Sequence, residues 1–167
     1  MSEMAYLGLG SNLGDRLSYL EAGAQALAAD PEITVLNSSS VYESAPAGYL
    51  DQGDFLNAAL SLRTTRTAPG LLETMSRIED RCGRHRTIHW GPRTLDLDLL
   101  LFGNRIIESR QLKLPHPRLI DRCFVLQPLL ELDPDLVHPQ TGCALSQYCV
   151  QLQCDESVYK RGGLEFQ

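Results

Sequence analysis

Two aspartates, Asp96 and Asp98, stand on either side of one leucine at the start of an apolar segment. Because residues two apart on a β-strand point to the same face, this spacing predicts two carboxylates directed at one site. The residues of opposite parity, Leu95, Leu97 and Leu99, are then predicted to face the core. Two hard oxygen donors suit Mg²⁺, which binds a few carboxylates together with waters and substrate phosphates. The alternative for such a pair taken alone is a solvated strand end.

Arginines precede this acidic pair. Between Arg77 and Arg93 lie five of the fifteen basic residues of the chain, all of them arginine, in a protein of net charge −6. That overall charge argues against a nucleic-acid binder with a broad basic face. Arginine makes up thirteen of the fifteen basic residues, and its guanidinium group matches phosphate oxygens better than a point charge does. A phosphate-bearing ligand is therefore predicted, with a solvated helix face as the alternative.

The hydrophobic pattern predicts the elements that hold these residues. Apolar spacing in the first helix places Leu17, Leu20, Ala24 and Leu27 on one stripe. The predicted strands and helices, in chain order, are strand Ala5–Leu9, helix Asp15–Ala29, strand Ile33–Glu43, strand Phe55–Leu62, helix Ala68–Cys82 and strand Thr94–Phe102. This order is the βαββαβ pattern of a ferredoxin-like α+β sandwich, with additional short helices and strands after it. The segment 44–54 is a candidate substrate lid.

Length and composition place the chain among ordinary globular proteins. With 167 residues it is predicted to form a single domain, and no apolar run approaches the roughly 18 residues of a membrane helix. The N-terminus lacks the basic and apolar regions of a secretory signal, so a cytoplasmic location is expected. A monomer is the default expectation, with no nucleic-acid and no membrane partner.

The cysteines are predicted to be free, buried thiols, because their number is odd and they show no paired CxxC spacing. They are Cys82, Cys123, Cys143, Cys149 and Cys154. A zinc site is an alternative for Cys82 with His85 and His89, but the loop offers no convincing fourth ligand.

The run from His89 to Leu100, HWGPRTLDLDLL, resembles the signature of the hydroxymethyl-dihydropterin pyrophosphokinases. The likeness extends to GSNL at 10–13, FLNA at 55–58, LFGN at 101–104 and LPH at 114–116, and covers about residues 5–150. Residues 151–167 lie outside it. The resemblance implies a ferredoxin-like fold and ATP binding without a GxxxxGK[ST] loop.

This resemblance implies Mg²⁺-dependent transfer of pyrophosphate from ATP to 6-hydroxymethyl-7,8-dihydropterin, with AMP as the second product, in folate biosynthesis. Asp96 and Asp98 would bind two Mg²⁺ ions, and Arg84 and Arg93 would stabilise the phosphoryl charge as catalytic residues. In-line displacement needs positioning and charge neutralisation rather than a covalent enzyme intermediate.

The remaining site residues implied by the resemblance fall into two groups. Those for the pterin are Ser44, Ala45, Ala47, Phe55, Asn57, Trp90 and Phe124. Those for ATP are Glu79, Arg86, Leu99, Gln111, Lys113, His116 and Arg122. Gln111, Lys113 and Pro117 depart from the arginine, threonine and tyrosine expected at these positions of the family. Without the resemblance, Phe55 and Phe124 would be interpreted as core aromatic residues.

Two other functions remain open from the sequence. A metal-dependent nucleotidyltransferase could use the same carboxylates and arginines to direct attack at the α-phosphorus, which would release pyrophosphate rather than AMP. A non-catalytic regulator that binds pterin or nucleotide would release neither product.

Overall fold

The strands and helices follow the predicted order from the N-terminus to Phe102. A computed structural model describes residues 1–46, 48–83, 91–154 and 158–166, with the backbone alone for 158–161. The elements are β1 (Glu3–Ser11), α1 (Arg16–Ala28), β2 (Ile33–Ser38), β3 (Ser40–Ser44), β4 (Phe55–Thr64), α2 (Ala68–Arg81), β5 (Asp96–Phe102), β6 (Ile107–Glu108), β7 (Lys113–Leu114), α3 (Cys123–Leu132), α4 (Leu145–Gln151) and β8 (Val158–Gly163). The predicted βαββαβ order is confirmed, with the second strand present as two segments.

The main sheet is antiparallel and has the strand order β5-β1-β4-β3-β8, with β2 paired to the other half of β4. The strands β6 and β7 form a separate hairpin. The first and last strands of the βαββαβ unit, β1 and β5, are neighbours, and the crossover helices α1 and α2 connect non-adjacent strands. This topology confirms the predicted ferredoxin-like α+β fold.

The single strand predicted from Ile33 to Glu43 is interrupted at Ser39. The Ser39 amide donates to the Ala59 carbonyl at 2.9 Å, and the Ser39 hydroxyl accepts from the Ala59 amide at 2.8 Å. Because the side chain takes the place of a backbone acceptor, the Ala59 amide remains satisfied across the interruption. The two segments therefore pair with different halves of β4.

Two apolar cores lie on opposite faces of the sheet. Leu20 of α1 and Leu71 of α2 belong to the first core, and Leu126 of α3 and Leu145 of α4 belong to the second. All four side chains are fully buried, and each such leucine contributes roughly 1.5–3 kcal/mol by leaving water. The sheet is thus covered on both faces, which fixes the side to which each strand residue points.

The helices α1 and α2 begin at residues whose side chains cap them. Asp15 accepts from the Ser18 amide at 3.2 Å, and Thr67 accepts from the Gly70 amide at 3.1 Å, so each cap satisfies one amide of a first turn. The predicted apolar stripe of α1 is only partly correct, because Leu17 is 40% exposed and burial begins one turn later at Leu20.

The prediction of free cysteines is wrong for Cys123 and Cys154, which form a disulfide between the start of α3 and the residues after α4. Their separation of 31 residues carries no pairing signal, and the packing of α3 beside α4 brings their Cα atoms to 5.0 Å. The other three cysteines are half-buried.

The residues after 150, which lie outside the family resemblance, contribute to the fold. They supply β8, which pairs with β3 at the edge of the main sheet, and Leu164 and Phe166, which pack against the first core. Across the described residues, each helix is too short or too polar to cross a lipid bilayer.

Candidate active site

The two aspartates lie on the face of β5 that looks away from the first core. Leu97 and Leu99 point the other way and are 5% and 3% exposed, which confirms the predicted alternation. In the sheet, Asp98 pairs with Gly8 and Asp96 pairs with Gly10 of β1. Because glycines have no side chains, space remains open beside both carboxylates.

This space is part of a cavity of about 670 Å³. Eleven of the predicted site residues line it: Ala45, Phe55, Asn57, Glu79, Arg93, Asp96, Asp98, Gln111, His116, Arg122 and Phe124. They come from four strands or their flanking loops and from two helices. The fold therefore brings together residues as far apart in the chain as Ala45 and Phe124, 79 positions.

One end of the cavity carries aromatic rings and an amide. Phe55 and Phe124 are both half-buried and line the cavity, and Phe124 also packs against the second core. Asn57 is 5% exposed and donates from Nδ2 to the Ser44 hydroxyl at 2.8 Å. Gly10 pairs with Asn57 across the sheet. A flat ring with polar edges fits such a surface.

The other end is charged. Arg93 donates from Nη1 to Oδ2 of Asp96 at 2.8 Å. Burial, and then the neighbouring Asp96 charge, raise the pKa of Asp98 to about 7, against the opposing effect of Arg122. A cation beside the two carboxylates would relieve their mutual repulsion and favour the ionised form of both.

Glu79 connects α2 to the start of β5. It is 3% exposed, and its Oε2 accepts from the Leu97 amide at 2.9 Å. This carboxylate therefore fixes the strand that carries both aspartates, besides lining the cavity. Its predicted contact with ATP stays a prediction.

His116 and Arg122 form the wall opposite Asp98. Burial, and then the Arg122 charge, lower the pKa of His116 to about 4, so the imidazole is neutral near pH 7. Its Nε2 lies 3.8 Å from Oδ1 of Asp98, and its Nδ1 accepts from the Arg118 amide. The Arg122 guanidinium lies 5.5 Å from the Phe124 ring centroid, and its buried Nε has no hydrogen-bond partner among the residues that the structure describes. A buried donor of this kind fits an anionic ligand.

Three described residues of the predicted site do not line this cavity. Ser44 is buried behind Asn57, and Lys113 is exposed on β7. The Leu99 side chain packs in the first core, and its strand parity directs it away from the cavity; its apolar contact with the adenine stays a prediction. Four further predicted residues, Ala47, Arg84, Arg86 and Trp90, lie outside the described residues.

The sequence interpretation missed several residues at the site. Arg118 lines the cavity two residues after His116, and Gly8 and Gly10 form its floor. Asn12 connects two loops beside it. The position of Arg118, between His116 and Arg122, could have indicated a second arginine at the site. The contacts of Asn12 follow from no local pattern.

The carboxylate pair is the set of residues that could hold a metal ion. Within residues 1–46, 48–83, 91–154 and 158–166 no group of three or more His, Cys, Asp or Glu side chains is arranged to hold one. Two carboxylates nevertheless fit Mg²⁺, which takes its other oxygen ligands from waters and phosphates.

Comparison with known proteins identifies the family. A sequence model of 7,8-dihydro-6-hydroxymethylpterin-pyrophosphokinase (HPPK) matches residues 6–134. The 2-amino-4-hydroxy-6-hydroxymethyldihydropteridine pyrophosphokinase of Bacillus subtilis is 43% identical over 152 residues, which cover 91% of each chain. The protein of the same name from Methylorubrum extorquens is 46% identical over 133 residues, covering 80% of this chain and 84% of the relative.

Solved structures agree on the fold. Wild-type Plasmodium falciparum HPPK-DHPS with pteroate matches with a TM-score of 0.72 at 14% identity, and the match covers 90% of this chain and 42% of that chain. This chain therefore spans less than half of that protein, and at this identity the likeness concerns the fold alone. The family match over residues 6–134, together with the relatives above 40% identity, shows that the chain belongs to the 7,8-dihydro-6-hydroxymethylpterin-pyrophosphokinase family of enzymes.

Proposed function

We propose that this enzyme transfers the pyrophosphoryl group of ATP to 6-hydroxymethyl-7,8-dihydropterin in folate biosynthesis, with Mg²⁺ as its cofactor. The observation that carries the proposal is one cavity with two unlike ends. Phe55, Asn57 and Phe124 line the end suited to a flat polar ring, and Asp96 and Asp98 line the end suited to a metal-bound polyphosphate. The family membership of the chain supports the same reaction.

In the proposed reaction, the hydroxymethyl oxygen of the pterin attacks the β-phosphorus of ATP. A new oxygen–phosphorus bond forms, the bond from the β-phosphorus to the oxygen bridging it to the α-phosphorus breaks, and AMP leaves with that oxygen. The hydroxyl proton is released, so ATP and the pterin give AMP, the pterin pyrophosphate and one proton. Catalysis of this kind depends on holding both substrates in line and neutralising phosphoryl charge.

Each end of the cavity then has a defined task. Phe55 and Phe124 hold the pterin ring between them, and Asn57, fixed by Ser44, hydrogen-bonds its edge. Arg122 and the neutral His116 bind phosphate oxygens on the nucleotide side. The pyrophosphoryl group to be transferred lies between these two ends.

Asp96 and Asp98 would hold the Mg²⁺ ions. When bound, Mg²⁺ neutralises phosphate charge and orients the triphosphate. The residues of the chain supply the complement: Arg93 pairs with Asp96 and adds positive charge at the same end of the cavity. Arg84, Arg86, Trp90 and Ala47 retain their predicted roles within this proposal. A cytoplasmic location and a monomeric state also belong to it, and rest on the sequence.

The test incubates the purified protein with MgCl₂, ATP and 6-hydroxymethyl-7,8-dihydropterin and separates the products by chromatography. We expect AMP and the pterin pyrophosphate in equal amounts, with no AMP when the pterin is omitted. Release of pyrophosphate would instead identify a nucleotidyltransferase. Binding of both ligands without any product would identify a binding protein.

The metal site is tested with Asp96→Asn, which keeps the shape of the side chain and removes its charge. We expect kcat to fall by at least about a hundredfold, because the site loses a charged ligand for Mg²⁺ and the metal can then no longer neutralise the phosphate charge. The matched control is Asp135→Asn at an exposed position away from the cavity, which we expect to leave kcat unchanged. Equal activity of Asp96→Asn and the control would contradict the metal assignment.

A further inference from the structure

Asn12, the residue after β1, is 7% exposed and connects two loops beside the cavity. Its backbone amide donates to the Arg93 carbonyl at 3.1 Å, and its side-chain Oδ1 accepts from the Arg93 backbone amide at 2.8 Å. Its Nδ2 donates to Oε1 of Gln52 at 2.9 Å and to the Gly53 carbonyl at 3.0 Å. The side chain therefore uses its acceptor for one loop and its donors for the other.

These contacts join the two ends of the cavity. Gln52 and Gly53 lie just before Phe55, which lines the aromatic end. Arg93 pairs through its guanidinium with Asp96 at the charged end. We name the connected residues Gln52, Gly53, Asn12 and Arg93 the Asn12 bridge. The bridge is a continuous hydrogen-bonded connection from the segment before Phe55 to the backbone of Arg93.

The chemistry of the bridge requires asparagine. The site needs two donors toward Gln52 and Gly53 and one acceptor toward the Arg93 amide, and a primary amide supplies this combination. Aspartate keeps the acceptor and loses both donors. Serine has a single donor.

The segment before Phe55 has a second, separate anchor. Arg16 donates from Nη1 to the Asp54 carbonyl at 2.9 Å and pairs with Glu43 at 2.8 Å. This anchor holds the same segment without contacting Asn12 or Arg93 through any of these bonds. Its removal therefore loosens the segment while leaving the Asn12 bridge in place to transmit the change.

We propose that Asn12 is a positioning residue that couples the pterin-side segment to Arg93, so that the guanidinium is held at Asp96 only while the segment is in place. The inference rests on the proposed function, since it assigns a purpose to Arg93 during pyrophosphoryl transfer. Asn12 does not line the cavity and acts through Arg93. A small misplacement of a catalytic group can lower the rate by about a hundredfold.

The first test compares Asn12→Asp with Arg16→Gln by hydrogen–deuterium exchange of peptides covering residues 49–56 and 91–98. We expect Asn12→Asp to exchange faster in both peptides, although its carboxylate still accepts from the Arg93 amide. Arg16→Gln leaves the bridge in place, so we expect it to exchange faster in both peptides when Asn12 is present and to add a further increase in 49–56 alone once Asn12→Asp has removed the bridge. Faster exchange of Asn12→Asp in 49–56 alone overturns the coupling. If Asn12→Asp does not fold, Gln52→Leu, which leaves Asn12 in place, decides by the same two peptides.

The second test is kinetic. We expect Asn12→Asp to lower kcat at least about tenfold with the KM for ATP within about twofold of the wild-type value. In an Arg93→Ala background the same change should have no further effect on kcat, because Asn12 affects the rate through the Arg93 guanidinium, which this background lacks. Additive losses indicate a purely structural role and overturn the proposal. An inactive wild-type protein would refute the proposed function instead, and the exchange measurement would still decide the coupling.

Discussion

At the scale of single residues, the site depends on which positions carry no side chain. Gly10 lies in the sheet between Asn57 on β4 and Asp96 on β5. A Cβ atom there would lie 3.5 Å from Oδ1 of Asn57 and 3.5 Å from Cδ1 of Phe55, and 3.9 Å from Cβ of Asp96. The absence of a side chain at Gly10 therefore keeps the surface between the two ends of the cavity open.

Gly10→Ala is predicted to weaken pterin binding without harming the fold. Its contacts of 3.5 Å are ordinary van der Waals distances, and replacing glycine in a strand reduces the entropy of the unfolded chain. We expect the KM for the pterin to rise about tenfold and the melting temperature to stay equal or increase. The control is Gly8→Ala, whose Cβ would meet Leu100 and Asp98 rather than the pterin end. An equal rise in both variants would contradict this division of the cavity.

At the scale of elements, side-chain hydrogen bonds fix the strands that carry the site. Glu131 of α3 accepts from the Ser40 hydroxyl at 2.6 Å and from the Tyr42 hydroxyl at 2.5 Å, and so anchors β3. Burial, and then the bond to Glu131, raise the pKa of Tyr42, so the Tyr42 hydroxyl keeps its proton and continues to donate to Glu131 at any pH used for assay. Ser39 fixes the point at which β2 gives way to β3.

Ser39→Ala is predicted to lower the free energy of unfolding by about 1–3 kcal/mol, because the buried Ala59 amide loses its acceptor. Urea denaturation followed by circular dichroism measures the change. Asn37→Ala, at an exposed position of β2, is the control and is expected to stay within about 0.5 kcal/mol of the wild-type protein. Indistinguishable midpoints for the two variants would show that the Ser39 hydroxyl does not hold the strand break.

At the scale of the whole molecule, the C-terminal segment completes the sheet. β8 covers the edge of β3, and beyond it Leu164 and Phe166 reach the first core on the α1 and α2 side of the sheet. The disulfide between Cys123 and Cys154 attaches the start of this segment to α3. An uncovered strand edge is a site of association between chains.

A chain that ends after Cys154 is predicted to be less stable and to associate. Removal of β8 leaves backbone groups of β3 unpaired, and removal of Leu164 and Phe166 exposes part of the first core. We expect the melting temperature to fall by several degrees and light scattering to show concentration-dependent association. A chain that ends after Phe166 is the control. A truncated protein that is monomeric and equally stable would refute a structural role for the segment.

Local patterns in the sequence determined a large part of this protein. Alternation along β5 assigned Asp96 and Asp98 to one face and Leu97 to the core, because a strand repeats every two residues. Helical spacing located α1 and α2 to within two residues at each end. The run containing the two aspartates indicated the family that the comparisons show.

Other properties were decided by the tertiary structure alone. The disulfide, the pairing of β8 and the bridge formed by Asn12 join residues from 31 positions apart (Cys123 and Cys154) to 123 positions apart (Ser40 and Gly163), and no local period encodes such contacts. Leu99 was assigned to the nucleotide by resemblance, yet its parity and the apolar core on that face of the sheet hold it away from the cavity. Sequence thus fixes what each element is, and long-range packing fixes which side chains meet, because the energy of a contact depends on distance in space rather than along the chain.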